Sequence, residues 1–318
     1  MPSKERDFFM GNHNLQSARK AKYDEFYTLP GPIKDELIHY TVPTNQFENK
    51  TVICNADDPE WSEFWKYFVT NFAHLHLKRL ISTHYEKGKQ SYMLEYNGEK
   101  DAENHAVYIK EELLGDGDFR SKECLELLDE ADIVVTNPPF SLFREYIETL
   151  IRYKKQFLVL GNMNALKYKD IFPYIKERKL WLGVHNGSME FRVPDDFEKN
   201  NVYQKEEVKY AKFGNICWYT NMEHDKMHDF LPLKEKYDPS KFPKYDTYDA
   251  IEVGTLKRIP SDYDGIMGVP ITIVQHLNPN QFEIVGEFNH GCDNEYDLAK
   301  PVLNGKLLFP RIAVRLIR

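Results

Sequence analysis

Between residue 50 and about 184, short apolar runs alternate with stretches in which apolar side chains recur every three or four positions. The runs Thr51–Asn55, Arg79–Thr83, 131–136 and Gln156–Asn162 read as strands covered on both faces. Between them, Trp61, Phe64, Trp65, Phe68 and Phe72 mark a helix over 61–71, and further helices are predicted over 121–130, 141–153 and 168–178. Residues 91–96 read as a strand inside a polar excursion over 88–107, and 180–184 as another. Such alternation predicts an α/β fold: a doubly wound parallel sheet with helices on both faces. Right-handed crossovers then bring the strands' carboxyl ends to one edge, where Asn55, Thr83, Asp116 and Asn137 are expected to meet.

The pattern weakens on either side. Residues 1–20 are polar and read as poorly ordered, and 186–209 as a polar loop before a strand over 212–220. Beyond about 225 the strands shorten, and Pro, Tyr and Asp crowd together, as in Tyr237-Asp238-Pro239 and Pro243-Lys244-Tyr245-Asp246. The expected organisation is a catalytic domain over 1–225 and a smaller, irregular α+β region over 226–318.

Composition sets limits. An apolar fraction of 42% in 318 residues is enough for a sizeable core. No apolar run approaches a membrane span, and Met1 to Arg6 is too polar for a signal peptide. Cys54, Cys124, Cys217 and Cys292 are scattered, without a CxxC pair, and read as reduced thiols of a cytoplasmic protein. His74 and His76 form an HxH pair whose members face different ways on a helix, so no metal is expected. A net charge of −8 is awkward for a nucleic-acid binder. Two basic clusters soften the objection: Arg19, Lys20 and Lys22, and the tail with Lys306, Arg311, Arg315 and Arg318.

The most specific chemistry is the turn Asn137-Pro138-Pro139-Phe140, which joins an apolar strand to an amphipathic helix. Two consecutive prolines fix the backbone and remove two N–H donors, and Pro138 holds Asn137 out of the helical region. The tip therefore offers acceptors, the Asn137 side-chain oxygen and the Pro138 carbonyl. Two fixed acceptors match the two hydrogens of an exocyclic NH2 group. They free the nitrogen lone pair, and Phe140 can stack on the ring that carries the amine. No strong base is needed, since the nitrogen loses its proton after it has been alkylated. By itself the turn leaves adenine, cytosine and glutamine open as substrates, and it is also a common way to end a strand.

A group donor belongs on the same edge. Neither GxGxxG nor GxxxxGK[ST] occurs, which weighs against nucleotide cofactors held by their phosphates. S-adenosylmethionine carries no phosphate. It calls for carboxylates near its ammonium and ribose hydroxyls and an apolar slot for its adenine. Asp57 and Asp58 follow the first strand, and Asp116, Asp118 and Phe119 surround Gly117.

Taken together, Asp24-Glu25-Phe26-Tyr27-Thr28, Asp57-Asp58-Pro59, Gly115-Asp116-Gly117-Asp118-Phe119-Arg120-Ser121 and the string from Val134 to Tyr146 resemble the EcoRI-type adenine-specific DNA methyltransferases. Trp181-Leu182-Gly183-Val184-His185 and Gly268-Val269-Pro270-Ile271-Thr272 extend the resemblance over nearly all the chain after residue 20. It implies a Rossmann-like methyltransferase fold and a monomeric enzyme that methylates N6 of adenine in double-stranded DNA. The setting it implies is restriction–modification, with a cognate restriction endonuclease able to act on the same site without direct contact. The methyl donor implied is S-adenosylmethionine, with no metal. Asn137, Pro138, Pro139 and Phe140 become the catalytic turn. Phe26, Tyr27 and Thr28 become the donor's methionine wall, and Asn55, Asp57, Pro59, Thr83, Tyr85, Asp116, Asp118 and Phe119 the rest of its pocket. Target recognition is expected in 226–318 or in the 186–209 loop. One departure is that the usual glycine-containing loop after the first strand is here Asn55-Ala56-Asp57-Asp58-Pro59. Competing readings are an RNA or protein-glutamine methyltransferase, and a non-catalytic DNA-binding protein on the same scaffold.

Overall fold

The computed structural model describes residues 26–317 except 57, 196, 199, 292 and 293. The expectations for residues 1–20, for Asp57, Cys292 and Arg318, and for the Arg19, Lys20, Lys22 cluster therefore lie outside the described residues. In chain order the first elements are β1 (Tyr27–Thr28), α1 (Pro30–Leu37), β2 (Thr51–Asn55), α2 (Glu63–Asn71), β3 (Arg79–Thr83), β4 (Tyr92–Tyr96) and β5 (Ile109–Glu112). There follow α3 (Lys122–Glu130), β6 (Ile133–Thr136), α4 (Phe143–Arg152), β7 (Gln156–Asn162), α5 (Phe172–Lys176), β8 (Trp181–Leu182), β9 (Gly187–Arg192), β10 (Val202–Lys205) and β11 (Val208–Thr220). Helix starts are set locally. Ser62 and Ser121 cap α2 and α3 by accepting from the Trp65 and Cys124 amides, each cap contributing about 1 kcal/mol.

These strands form one sheet in the order β1-β9-β11-β7-β6-β2-β3-β4-β5, with β8 and β10 also paired to β11. Its centre, β7-β6-β2-β3, is parallel, and the flanking pairings are antiparallel. The architecture is thus mixed α/β, where a parallel sheet was expected. Side chains alternate across it. Val52, Cys54, Leu80, Ile133, Val135, Leu158 and Leu160 pack on one face with Ile33 and Leu37 of α1 and Phe64, Trp65 and Phe68 of α2. Ile53, Ile81, Val134, Phe157 and Val159 pack on the other with α3, α4 and α5. Burial on both faces is why the central strands read as unbroken apolar runs.

Three local expectations change. Residues 186–209 are not a loop: β9 and β10 lie there and pair with β11. Met189, Phe191 and Val193 are buried at every second position, with polar residues between them, so the alternation of a half-buried strand is present but sparse. The helix over 168–178 contracts to the one-turn α5, preceded by a 3-10 segment at Met163–Lys167. The basic tail is also not a free charged face, since Arg311 pairs with Glu252 at 2.8 Å and Arg315 with Glu283 at 3.4 Å.

The C-terminal region is more regular than its sequence suggests. It contains β12 (Ala250–Glu252), β13 (Ile266–Pro270), β14 (Phe282–Phe288), β15 (Asp297–Ala299), the hairpin of β16 (Val302–Leu303) and β17 (Lys306–Leu307), and β18 (Arg311–Leu316). Five of these make a second sheet, β12-β13-β18-β14-β15. Its residues Ile251, Val253, Met267, Val269, Ile312 and Val314 join the same apolar cluster as α3, α4 and α5. The second sheet is therefore braced against the helical face of the first.

Candidate active site

The chain leaves β2 toward β3 on one side and later crosses to β6 on the other. That reversal is a topological switch point at the carboxyl ends of β2 and β6, the usual ligand position in α/β sheets. The two ends are tied together there. The Thr136 hydroxyl donates to the Asn55 carbonyl at 2.7 Å, and the Tyr146 hydroxyl of α4 donates to the Asn55 side-chain oxygen. The expectation that Asn55, Thr83 and Asn137 share one edge holds.

Asn137 and Pro138 are buried, and Pro139 and Phe140 are half-buried. Asn137 Nδ2 donates to the Phe26 carbonyl at 2.6 Å. Only the NH2 end of an amide can face a carbonyl, so this bond fixes which way the side chain points. Asn137 Oδ1, on the other side, is buried without a hydrogen-bond partner. A buried acceptor left unmade costs about 1–3 kcal/mol, so the turn holds a destabilised group in a fixed direction. The Phe140 ring lies 5.9 Å from that of Phe26, which is also packed against Phe191, Phe197 and Phe213.

Around this turn, two more polar groups are buried and unpartnered: the hydroxyls of Thr28 on β1 and Thr83 at the end of β3. The loop after β2 makes its turn without glycine, because Ala56 itself adopts φ +79°. Asp58 accepts from the Glu60 amide at 2.9 Å and lies 3.6 Å from His84 Nε2, and Pro59 is buried. His84 stacks on Tyr92 with ring centres 4.9 Å apart. Gly117 has φ +80°, and a Cβ there would come within 1.9 Å of the His84 carbonyl oxygen. No other residue fits, so the segment 115–121 is pinned to the chain leaving β3.

Not every expected donor contact is available. Asp116 is half-buried and accepts from the Asp118 amide at 3.2 Å. The Asp118 carboxylate is held by Arg120, 2.8 Å from Nε and 2.5 Å from Nη2, and hydrogen bonding to that guanidinium keeps its pKa below the ordinary carboxylate value. Phe119 is buried edge-on against Tyr146 at 4.9 Å, and the Asn55 side chain is engaged by the same tyrosine. Tyr27 is half-buried on β1, and Tyr85 is exposed. The sequence reading missed Ala56, Tyr146 and the phenylalanines of β9 and β11. Tyr146 could have been found, because it lies on the apolar face of α4 with Phe143, Ile147 and Leu150. Among the described residues no group of three or more His, Cys, Asp or Glu could hold a metal ion, and no helix is long and apolar enough to cross a membrane.

The family model described as adenine-specific methyltransferase EcoRI matches residues 14–306. This chain belongs to that family. Among curated proteins, the EcoRI-type relative "Type II methyltransferase M.EcoRI" of Escherichia coli is 43% identical over 322 residues, covering 96% of each chain. The family relatives M.MgeORF184P of Mycoplasma genitalium and M.MpnI of Mycoplasma pneumoniae are 42% and 40% identical over 281 and 282 residues. Each alignment spans 86% of this chain, with 86% of the first relative and 85% of the second. The family match runs through the first sheet and through β12 to β15 of the second.

Proposed function

We propose that this chain methylates N6 of an adenine rotated out of duplex DNA, as the modification enzyme of a type II restriction–modification system. The observation that carries this reading is the buried, unpartnered Asn137 Oδ1, held outward at the end of a strand. It and the Pro138 carbonyl accept the two N6 hydrogens and leave the nitrogen lone pair free. Phe140 stacks on the base, a contact worth about 1–3 kcal/mol. Positioning and fixed dipoles, with no strong base, carry the catalysis. Rotating the adenine out of the helix costs a few kcal/mol, which the closed turn recovers.

The methyl donor of this reading is S-adenosylmethionine on a Rossmann-like sheet. The two unpartnered threonine hydroxyls fit a polar, phosphate-free ligand. Thr28 and Tyr27 would face its methionine part, and Thr83, Tyr85 and Asp116 the remainder, with Gly117 setting the wall. When bound, it supplies a methyl group on a positively charged sulfur that departs as a neutral thioether.

Residues 1–225 bind donor and target base in this scheme, and 226–318 read the DNA. An open concavity in the second region is lined by Lys234, Lys236, Lys241 and Lys257 together with Glu235 and Asp238, and Lys236 and Lys241 lie 3.7 Å from Asp262 and 3.9 Å from Asp238. Lysines at such a surface attract phosphates despite the overall charge of −8. The enzyme acts as a monomer in the cytoplasm, and a cognate endonuclease reads the same site without touching it. Labelled donor offered to DNA, RNA and protein in parallel tests the proposal. Label should enter DNA alone, as N6-methyladenine at one sequence. Label in RNA or in glutamine would overturn it.

A further inference from the structure

The two polar atoms of the Asn137 side chain have opposite fates. Nδ2 is bound to the Phe26 carbonyl at 2.6 Å, and Oδ1 has no partner. Turning the amide half a turn about its last bond would set Oδ1 against the Phe26 carbonyl, acceptor facing acceptor. It would also present NH2 hydrogens to an incoming amino group. The Phe26 carbonyl therefore selects the one orientation that can grip a donor. That carbonyl is itself fixed. The Phe26 ring is 8% exposed and packs 4.6 Å from Phe213, 5.5 Å from Phe197 and 6.1 Å from Phe191. The next two residues pair with β9, Tyr27 opposite Arg192 and Thr28 opposite Phe191.

We propose that Phe26 is a positioning residue for the target base, not a wall of the donor pocket. Its ring anchors β1 to the β9–β11 arm, and its carbonyl locks Asn137 as an acceptor. This rests on reading Asn137 as the grip on N6. The titratable and charged groups on the elements packed around the turn are Tyr27 on β1, Cys54 on β2, Asp58 in the loop after it, Arg144, Glu145, Tyr146, Glu148 and Arg152 on α4, Glu190 and Arg192 on β9, and Lys209, Tyr210, Lys212, Cys217 and Tyr219 on β11. Asp58 faces His84, and Tyr146 is bound to Asn55.

The test uses single-turnover methylation of DNA by the full chain. Wild type should be active and Asn137→Ala inactive. If those controls fail, the reading of the turn is wrong, whatever Phe26 does. Asn137→Asp keeps the shape and an acceptor but, when ionised, sets a negative oxygen against the Phe26 carbonyl. Its rate at pH 8 should fall on the order of 100-fold, then climb toward pH 6, because the protonated acid can again donate to Phe26. Wild type should stay flat over that range. An Asp variant with the wild-type rate and pH profile would overturn the proposal, since an acceptor alone would then suffice. Phe26→Ala decides independently. At saturating DNA and donor its rate should drop at least about tenfold with donor affinity within about twofold of wild type, and Phe26→Leu should recover most of the loss. An unchanged saturating rate, or a loss confined to donor affinity, would return Phe26 to the donor pocket.

Discussion

The two sheets differ in a few of their buried polar groups. At the proposed catalytic edge of the first, Asn137 Oδ1 and the hydroxyls of Thr28 and Thr83 are buried and unpartnered. In the second, Glu252 accepts from both Arg311 and Tyr245, and the Glu287 carboxylate accepts from Asn289 and Asn294. Among the described residues every unpartnered buried side-chain atom lies before residue 225. Trp218 Nε1 and His224 Nδ1 are unpartnered too, so it is on the proposed reading of the site that Asn137, Thr28 and Thr83 are polar groups kept for a ligand, set against polar groups that hold the fold. The first kind destabilises the free protein, and the second stabilises it.

Substitutions can break that comparison, and the largest effect is expected in the second sheet. Glu252→Ala leaves the nearly buried Arg311 without its partner and should cost about 3–5 kcal/mol in a urea melt, with the rate of the folded enzyme unchanged. At the edge the signs separate. Asn137→Ala should lower single-turnover methylation by about 10²–10³-fold or more while shifting the melt little. A rate loss in the first variant or a large stability loss in the second would dissolve the distinction.

Thr83→Val replaces a buried, unpartnered hydroxyl with a methyl group of the same shape. Stability should rise by about 1 kcal/mol, and calorimetry should show weaker donor binding. A destabilised variant would mean that the hydroxyl serves the fold.

The smallest effect is electrostatic. The Asp118 pKa is depressed because the carboxylate accepts from Arg120. A depressed folded-state pKa gives stability that is full above the unfolded-state value, near 4, and is lost as pH falls through the folded value. Melts between pH 6 and pH 3 should therefore show a steeper acid loss in wild type than in Asp118→Asn. Equal slopes would show that the pair does nothing for stability.

The contrast also explains what could be read from the chain. The strands β2, β3, β6 and β7 are buried on both faces, so their residues had to be continuously apolar and were legible. The prolines of the catalytic turn announce its stiffness by their chemistry alone. By contrast, β9 buries only Met189 and Phe191 and β10 buries none of its residues, so both resembled a loop. The second sheet is built from short strands whose partners are distant in sequence, such as β13 and β18, where Met267 pairs with Val314. Which expected donor residues are already engaged was equally hidden. Asp118 and Asn55 are engaged by Arg120 and Tyr146; both partners stand in the quoted motifs, but a motif does not record which of its residues pair. The Phe26 contact is made through the main chain, 111 residues away from Asn137, and a carbonyl has no letter of its own in a sequence.

Phe26 stands immediately before β1 and Thr28 ends it, the first bonded to Asn137 and the second assigned to the proposed donor. A strand that short cannot settle at one end and stay loose at the other. On the proposed reading one short, paired segment walls both sites, so strain placed on it by either ligand would be felt by the other. Linkage then demands symmetry: whatever factor the donor adds to the affinity for DNA, DNA must return to the affinity for the donor.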